Sequence, residues 1–181
     1  MADGGRRQKR VRLAEALARR RVPLGFLAAC ATLIVAQPTW DSWRGGLLVA
    51  AVGEALRVWA AGHLEKSREV TQSGPYRWTP HPLYVGSAIV ALGVVIAARS
   101  AIVTAVAVAY VAATFTAAIR MEEAFLRQQF GDAYDRYRQS RGVPVSRGFS
   151  LERAKRNREH RAIAGLAAGF ALLALKILGP L

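Results

Sequence analysis

Sulfur and acidic groups are scarce in this chain. Its 181 residues hold one cysteine and two methionines, and 12 Asp and Glu stand against 26 Lys and Arg, a net charge of +14. A single cysteine, Cys30, excludes an intramolecular disulfide. No Gly-x-Gly-x-x-Gly follows a strand-like run, so a Rossmann-type nucleotide fold is excluded. There is no internal repeat. The charge excess by itself would suit a nucleic-acid surface, but the apolar residues, 52% of the chain, are gathered into blocks with the charges between them. A basic face against anionic lipid accounts better for that pattern.

The sequence predicts an all-α polytopic bundle with five membrane spans at about 22–38, 45–62, 82–98, 101–119 and 162–178. Each is near the short end of the ~17–25 residues that cross hydrocarbon. Block 101–119 has no charged residue, whereas Lys176 interrupts the last block and is expected to snorkel to the interface. Eight Lys and Arg lie in residues 1–22, three in 63–81 and eleven in 120–161, against Arg44 and Arg99 in the other two loops. Five crossings put all three basic segments on one side. The positive-inside rule makes that side cytosolic, with the C-terminus outside. Residues 1–21 are expected to be a basic segment that is partly an interfacial helix, followed by one domain over 22–181. Leu27-Ala28-Ala29-Cys30 looks like a lipoprotein cleavage box, but the apolar run continues to Ala36, so Cys30 is expected to be buried. Trp40 and Trp43 suit an interfacial belt. Blocks three and four, joined by Ala98-Arg99-Ser100, are expected to form a helical hairpin. Residues 120–141 should continue the fourth span as an amphipathic helix, bent or broken at Gly131.

The chemistry-bearing residues cluster at the basic side. Glu54 and Arg57 share a helix face, either as a structural ion pair or with Arg57 turned to an anionic ligand. His63, at the end of block two, is expected at the interface. His81 lies between Pro80 and Pro82, a way to aim one imidazole. Tyr84 follows on the same helix face, and Gly86 allows close backbone approach. Glu122 and Glu123 stand where block four leaves the membrane. Adjacent carboxylates on a helix diverge, so one can face a pocket and the other an Arg or water. A pocket carboxylate suits hydroxyls or an ammonium group.

Together these segments resemble the isoprenylcysteine carboxyl methyltransferase family and its wider superfamily, which includes phospholipid N-methyltransferases. The resemblance rests on Ser73-Gly74-Pro75-Tyr76-Arg77, His81-Pro82-Leu83-Tyr84-Val85-Gly86, Glu122-Glu123, Phe130-Gly131 and the pair Tyr134 and Tyr137, over about residues 45–145. It implies a membrane-embedded methyltransferase that uses S-adenosylmethionine in a cytosol-facing pocket lined by these motifs. By the same resemblance Val70, Thr71, Tyr76, His81, Pro82, Leu83, Tyr84, Gly86 and Glu122 would contact the cofactor. Arg120, Arg57 and Glu123 are candidates at the methyl acceptor, and no metal is implied. The family Arg near Glu-Glu can also fall two positions before Arg120, where this chain has Ala118. The Arg of the family's Arg-His-Pro is Pro80 here, and the Arg expected after Val143-Pro144 is displaced to Arg147. The implied acceptor is a lipid-like or isoprenoid molecule with a carboxylate or amine, in a bacterial inner membrane, with no nucleic-acid partner. Two other readings are a sterol-reductase-type enzyme using NADPH and a non-catalytic membrane protein. The reductase motif has Asn and Glu where Leu83 and Ser87 stand.

Overall fold

The computed structural model describes residue 20 and residues 23–139 and 146–179. The expected interfacial helix in 1–21 and the end of the 120–141 segment lie outside them. The described residues form α1 (Pro23–Val35), α2 (Trp40–His63), a 3-10 turn (Gly74–Arg77), α3 (Pro82–Ala98), α4 (Ala101–Phe130), α5 (Asp132–Arg138), α6 (Leu151–Arg156) and α7 (Glu159–Leu178). They contain no strand. α2, α4 and α7 are long and apolar enough to cross a membrane, while α1 and α3 are shorter apolar helices.

Local chemistry sets the helix boundaries, and several differ from the apolar runs. α2 starts at Trp40, ahead of the expected 45, because Thr39 and Ser42 form a reciprocal capping box. The segment 39–44, expected to be a loop, is therefore mostly helix. α1 stops at Val35, ahead of Gln37-Pro38. α3 begins on Pro82, whose missing N–H costs nothing in a first turn. It ends at Arg99 in the left-handed region, and Ser100 then caps α4, giving the expected hairpin. α4 continues through Arg120 and Glu122-Glu123 to Phe130. At ~1.5 Å per residue it is about 45 Å long, so it outreaches a ~30 Å hydrocarbon core. Gly131, with φ +49°, ends it and α5 restarts at Asp132. α7 begins at Glu159, three residues before the apolar block.

α2 and α3 form the closest pair. Gly46, Ala50 and Gly53 of α2 meet Gly86, Gly93 and Ala97 of α3 with backbones nearly touching. Small residues allow this in lipid, where packing and not hydrophobicity drives helix association. At the far end from the 3-10 turn, Ala36, Ala50, Ala97, Ala98, Val103, Phe170 and Leu173 make the core. There Trp43 packs edge-on to Phe170 and its Nε1–H donates to the Phe170 carbonyl at 2.8 Å. One expectation is corrected here, that for Cys30. Lys176, expected to snorkel, finds its partners at the end of α1. Its Nζ donates to the carbonyls of Leu33 at 2.7 Å and Ile34 at 2.8 Å, groups that the end of α1 leaves unsatisfied. Cys30 is exposed, because α1 turns Leu33 and Val35 toward the core instead. The helices alternate in direction. The N-terminal ends of α1, α3 and α7 and the C-terminal ends of α2 and α4 thus meet at one end of the bundle.

Candidate functional site

The Ser73–Trp78 turn is folded onto the end of α2. His63 is buried there, not at the interface, with its Nδ1 3.1 Å from Ser73 Oγ. Gly74 has φ +57°, and a Cβ on it would sit 2.5 Å from the His63 ring. Only glycine allows both the conformation and the contact. The turn buries Tyr76, and the Tyr137 hydroxyl donates to the Tyr76 carbonyl at 2.7 Å. Burial, then the nearby Glu122, holds the Tyr76 phenol above its ordinary range. Tyr134 is fully buried, with its hydroxyl unpartnered among the described residues. Burial, then Glu123, pushes that phenol up as well.

The two adjacent carboxylates diverge. Glu123 Oε1 lies 3.0 Å from His81 Nε2 and 3.2 Å from Arg138 Nη1, joining the entry of α3 to α4 and α5. Glu122 makes no hydrogen bond or ion pair among the described residues and lines a cavity of about 1020 Å³. That cavity is open on one side and is lined by α1, α2, α3, α4, α5, α7 and the 64–71 loop. One part is apolar and aromatic, with Phe26, Ala29, Tyr110, Phe115 and Ala118; the other is polar, with Arg57, Glu65, Glu69, Thr71 and Glu159. Tyr84 stands at the junction, edge-on to Phe115 with ring centroids 5.3 Å apart.

Of the site residues expected from the sequence, Arg57, Val70, Thr71, Tyr76, Leu83, Tyr84 and Glu122 come together around this cavity, while His81, Pro82, Gly86, Glu123 and Arg120 do not line it. Pro82 is buried in the first turn of α3. Gly86 does permit a close approach, but by α2: a Cβ on it would lie 2.6 Å from Arg57 Cγ and 2.7 Å from the Gly53 carbonyl. Arg120 is exposed, and Ala118, two positions earlier, lines the cavity. Sequence reasoning missed Ser87, Glu159 and the α1 wall. Glu159 is one acid in a stretch of arginines, and nothing local marks it.

Glu159 completes a network across three helices. Arg57 Nη2 lies 2.9 Å from Glu159 Oε2, its Nε 3.2 Å from Glu54 Oε2, and its Nη1 2.5 Å from Ser87 Oγ. The expected Glu54–Arg57 pair is present, so Arg57 is already shared by two carboxylates. Removing one member of such a buried network strands the remaining charges, which costs about 3–5 kcal/mol. Arg57→Ala should therefore lower folded yield and thermal stability in detergent sharply. Restoration of stability by adding Glu54→Gln and Glu159→Gln would identify stranded charge as the cause; an unchanged melting temperature in Arg57→Ala would refute the argument.

Arginines from the segment after α5 hold the 64–71 loop at the polar mouth. Arg147 takes Glu69 in a two-point grip at 2.6 and 2.8 Å, and Arg156 reaches Glu65 at 3.1 Å. The hydrogen bond to Glu69 raises the Arg147 pKa. Asn157 Nδ2 donates to the Ala61 carbonyl at 2.9 Å.

Fold and site define an α-helical integral membrane protein with a large, partly polar cavity at one end of its bundle. The chain belongs to the phospholipid methyltransferase family, whose pattern matches residues 43–133. Over 119 residues it is 32% identical to the cobalt-zinc-cadmium resistance protein CzcN of Cupriavidus metallidurans, an alignment covering 61% of this chain and 54% of that protein. The chain thus spans about half the length of that curated relative. No solved structure matches it.

Proposed function

We propose that this protein is an S-adenosylmethionine-dependent methyltransferase that acts on a lipid-like amine. The observation carrying this is Glu122, a carboxylate unpaired among the described residues, on the wall of a roughly 1020 Å³ cavity, in a chain of the phospholipid methyltransferase family. Ligand pockets for molecules of drug size run to ~300–1,000 Å³, so there is room for the cofactor beside part of an acceptor. The donor set fits the cofactor: a free carboxylate for hydroxyl or ammonium groups, and the faces of Tyr84 and Phe115 for a cation. When bound, S-adenosylmethionine supplies a methyl group already activated by its sulfonium. The residues of this chain then have to bind, align and exclude water.

The choice of an amine rests on the cations. A carboxylate acceptor needs a cationic partner, but Arg57 is shared by Glu54 and Glu159, Lys66 stands in the mouth loop with the carboxylates Glu65 and Glu69, Arg120 lies away from the cavity, and Ala118 stands where the family Arg can fall. Glu122 suits an acceptor that arrives as an ammonium and loses its proton before or during transfer. The cavity end of the bundle carries the basic segments 63–81 and 120–161, which supports a cytosolic mouth in a bacterial inner membrane. Five crossings, with α1 and α3 as short spans, complete that topology. The metal-resistance role in the relative's name belongs to that protein. Among the described residues no cluster of three His, Cys, Asp or Glu is arranged for a metal, so direct chelation is no part of this proposal.

The test is methyl transfer from labelled donor by the full chain in nanodiscs, offered long-chain amines and long-chain carboxylates side by side. A base-stable N-methyl product is expected. A base-labile methyl ester would sink the amine reading. Absence of donor binding by folded protein would sink the methyltransferase reading and move attention to NADPH.

A further inference from the structure

The network around Arg57 is short of one positive charge. Glu54 and Glu159 share its guanidinium, at 3.2 and 2.9 Å, and its other partner, Ser87, is neutral. Neither carboxylate has a second cationic partner among the described residues. Glu159 opens α7, where the helix dipole favours a negative charge. It is only 7% exposed, yet it lines the cavity. Both Arg57 bonds to it end on Oε2, at 2.9 and 3.3 Å, which leaves Oε1 without a partner among the described residues. Charges this deeply buried are normally paired in full. Tyr76 ties this free oxygen to Glu122. The Tyr76 side chain is buried and lines the same cavity, and its phenol lies within electrostatic reach of both carboxylates.

We propose that Glu159 binds the α-ammonium group of S-adenosylmethionine. The proposal rests on the cofactor reading above and adds a residue of α7, outside the residues 43–133 that match the family. The cofactor carries a sulfonium, an ammonium and a carboxylate. Its net charge is therefore the single positive charge that the network lacks. Glu159 also stands in the polar part of the cavity with Arg57 and Thr71, away from the aromatic part that suits the apolar portion of an acceptor. An ammonium brings a full charge and three donors, so it is the group of the cofactor best matched to a buried carboxylate oxygen. Glu122 is then left for hydroxyls, and the two carboxylates hold two ends of one molecule.

The test is calorimetry on the full chain in detergent, titrated with S-adenosylhomocysteine and with its deamino analogue, which differs only in lacking the α-amino group. The native chain should bind S-adenosylhomocysteine at least about tenfold more tightly than the analogue, the size of a hydrogen bond to a charged group. Glu159→Gln, whose amide oxygen can still accept from Arg57, should abolish that preference by weakening S-adenosylhomocysteine alone. Glu159→Asp should keep part of it. Glu122→Ala should weaken both ligands alike and leave the preference intact. Equal loss of both ligands in Glu159→Gln would show a structural role and overturn the proposal. So would a native chain indifferent to the amine, whatever the variants do; the network would then balance its charge by holding a proton. Failure of the folded native chain to bind either ligand would instead remove the cofactor reading, and this proposal with it.

Discussion

Replacing Glu122 with Ala is expected to weaken S-adenosylmethionine binding by about 10- to 100-fold and to change thermal stability little. The size follows from the chemistry: a hydrogen bond to a charged group contributes ~1.5–3 kcal/mol, and ~1.4 kcal/mol is tenfold in affinity. The selectivity follows from the structure. Glu122 has no protein partner among the described residues and lines the cavity, so nothing in the fold depends on it. Its neighbour Glu123 is engaged by His81 and Arg138. Glu123→Ala should therefore destabilise the junction of α3, α4 and α5 and lower the melting temperature, with a smaller direct effect on the cofactor. Binding and melting of both variants in the same detergent would decide this. Loss of stability in Glu122→Ala with unchanged binding would overturn the assignment of the free carboxylate.

The second large effect is expected at the α2–α3 seam. A Cβ on Gly93 would lie 2.6 Å from both the Ala50 amide nitrogen and the Gly46 carbonyl oxygen. Those are backbone atoms in the middle of a helix and cannot swing aside as the tip of a long side chain can. Gly93→Val must force the two helices apart. Overpacking of this kind costs about 1–3 kcal/mol, or roughly 2–12 °C in melting temperature for a chain of this size. Gly169 on α7 is the control, since nothing lies within 4 Å of a Cβ there. Gly169→Ala should be neutral or slightly stabilising, because glycine is about 1 kcal/mol worse than alanine inside a helix. Equal melting temperatures for the two variants would show that the seam is less tight than its geometry.

The same seam separates what each level of information decides. Block hydropathy and the distribution of basic residues determine an all-α membrane bundle, because an apolar run of that length has few other stable environments. The paired motifs were enough to bring Tyr76, Leu83, Tyr84 and Glu122 to one candidate site, since the chain carries them on the ends of neighbouring helices. The divergence of Glu122 and Glu123 also follows from helix geometry alone. Its outcome does not: which carboxylate is free depends on where α5 brings Arg138. Likewise, local sequence marks Arg57 and Glu54 as one helix face, but the second claimant on Arg57 is Glu159, 102 residues away, and only the docking of α7 onto α2 brings it there. Gly86 has a close neighbour, as its residue type suggests, yet that neighbour is helix α2. The bury-or-expose choice at Cys30 and the engagement of Lys176 with the end of α1 were decided in the same way, by which face each helix turns to its partners. Periodicity and charge act along a few turns of one helix and are written in the sequence. The cavity and its charge balance arise between helices, where position is set by how closely glycine and alanine let backbones approach.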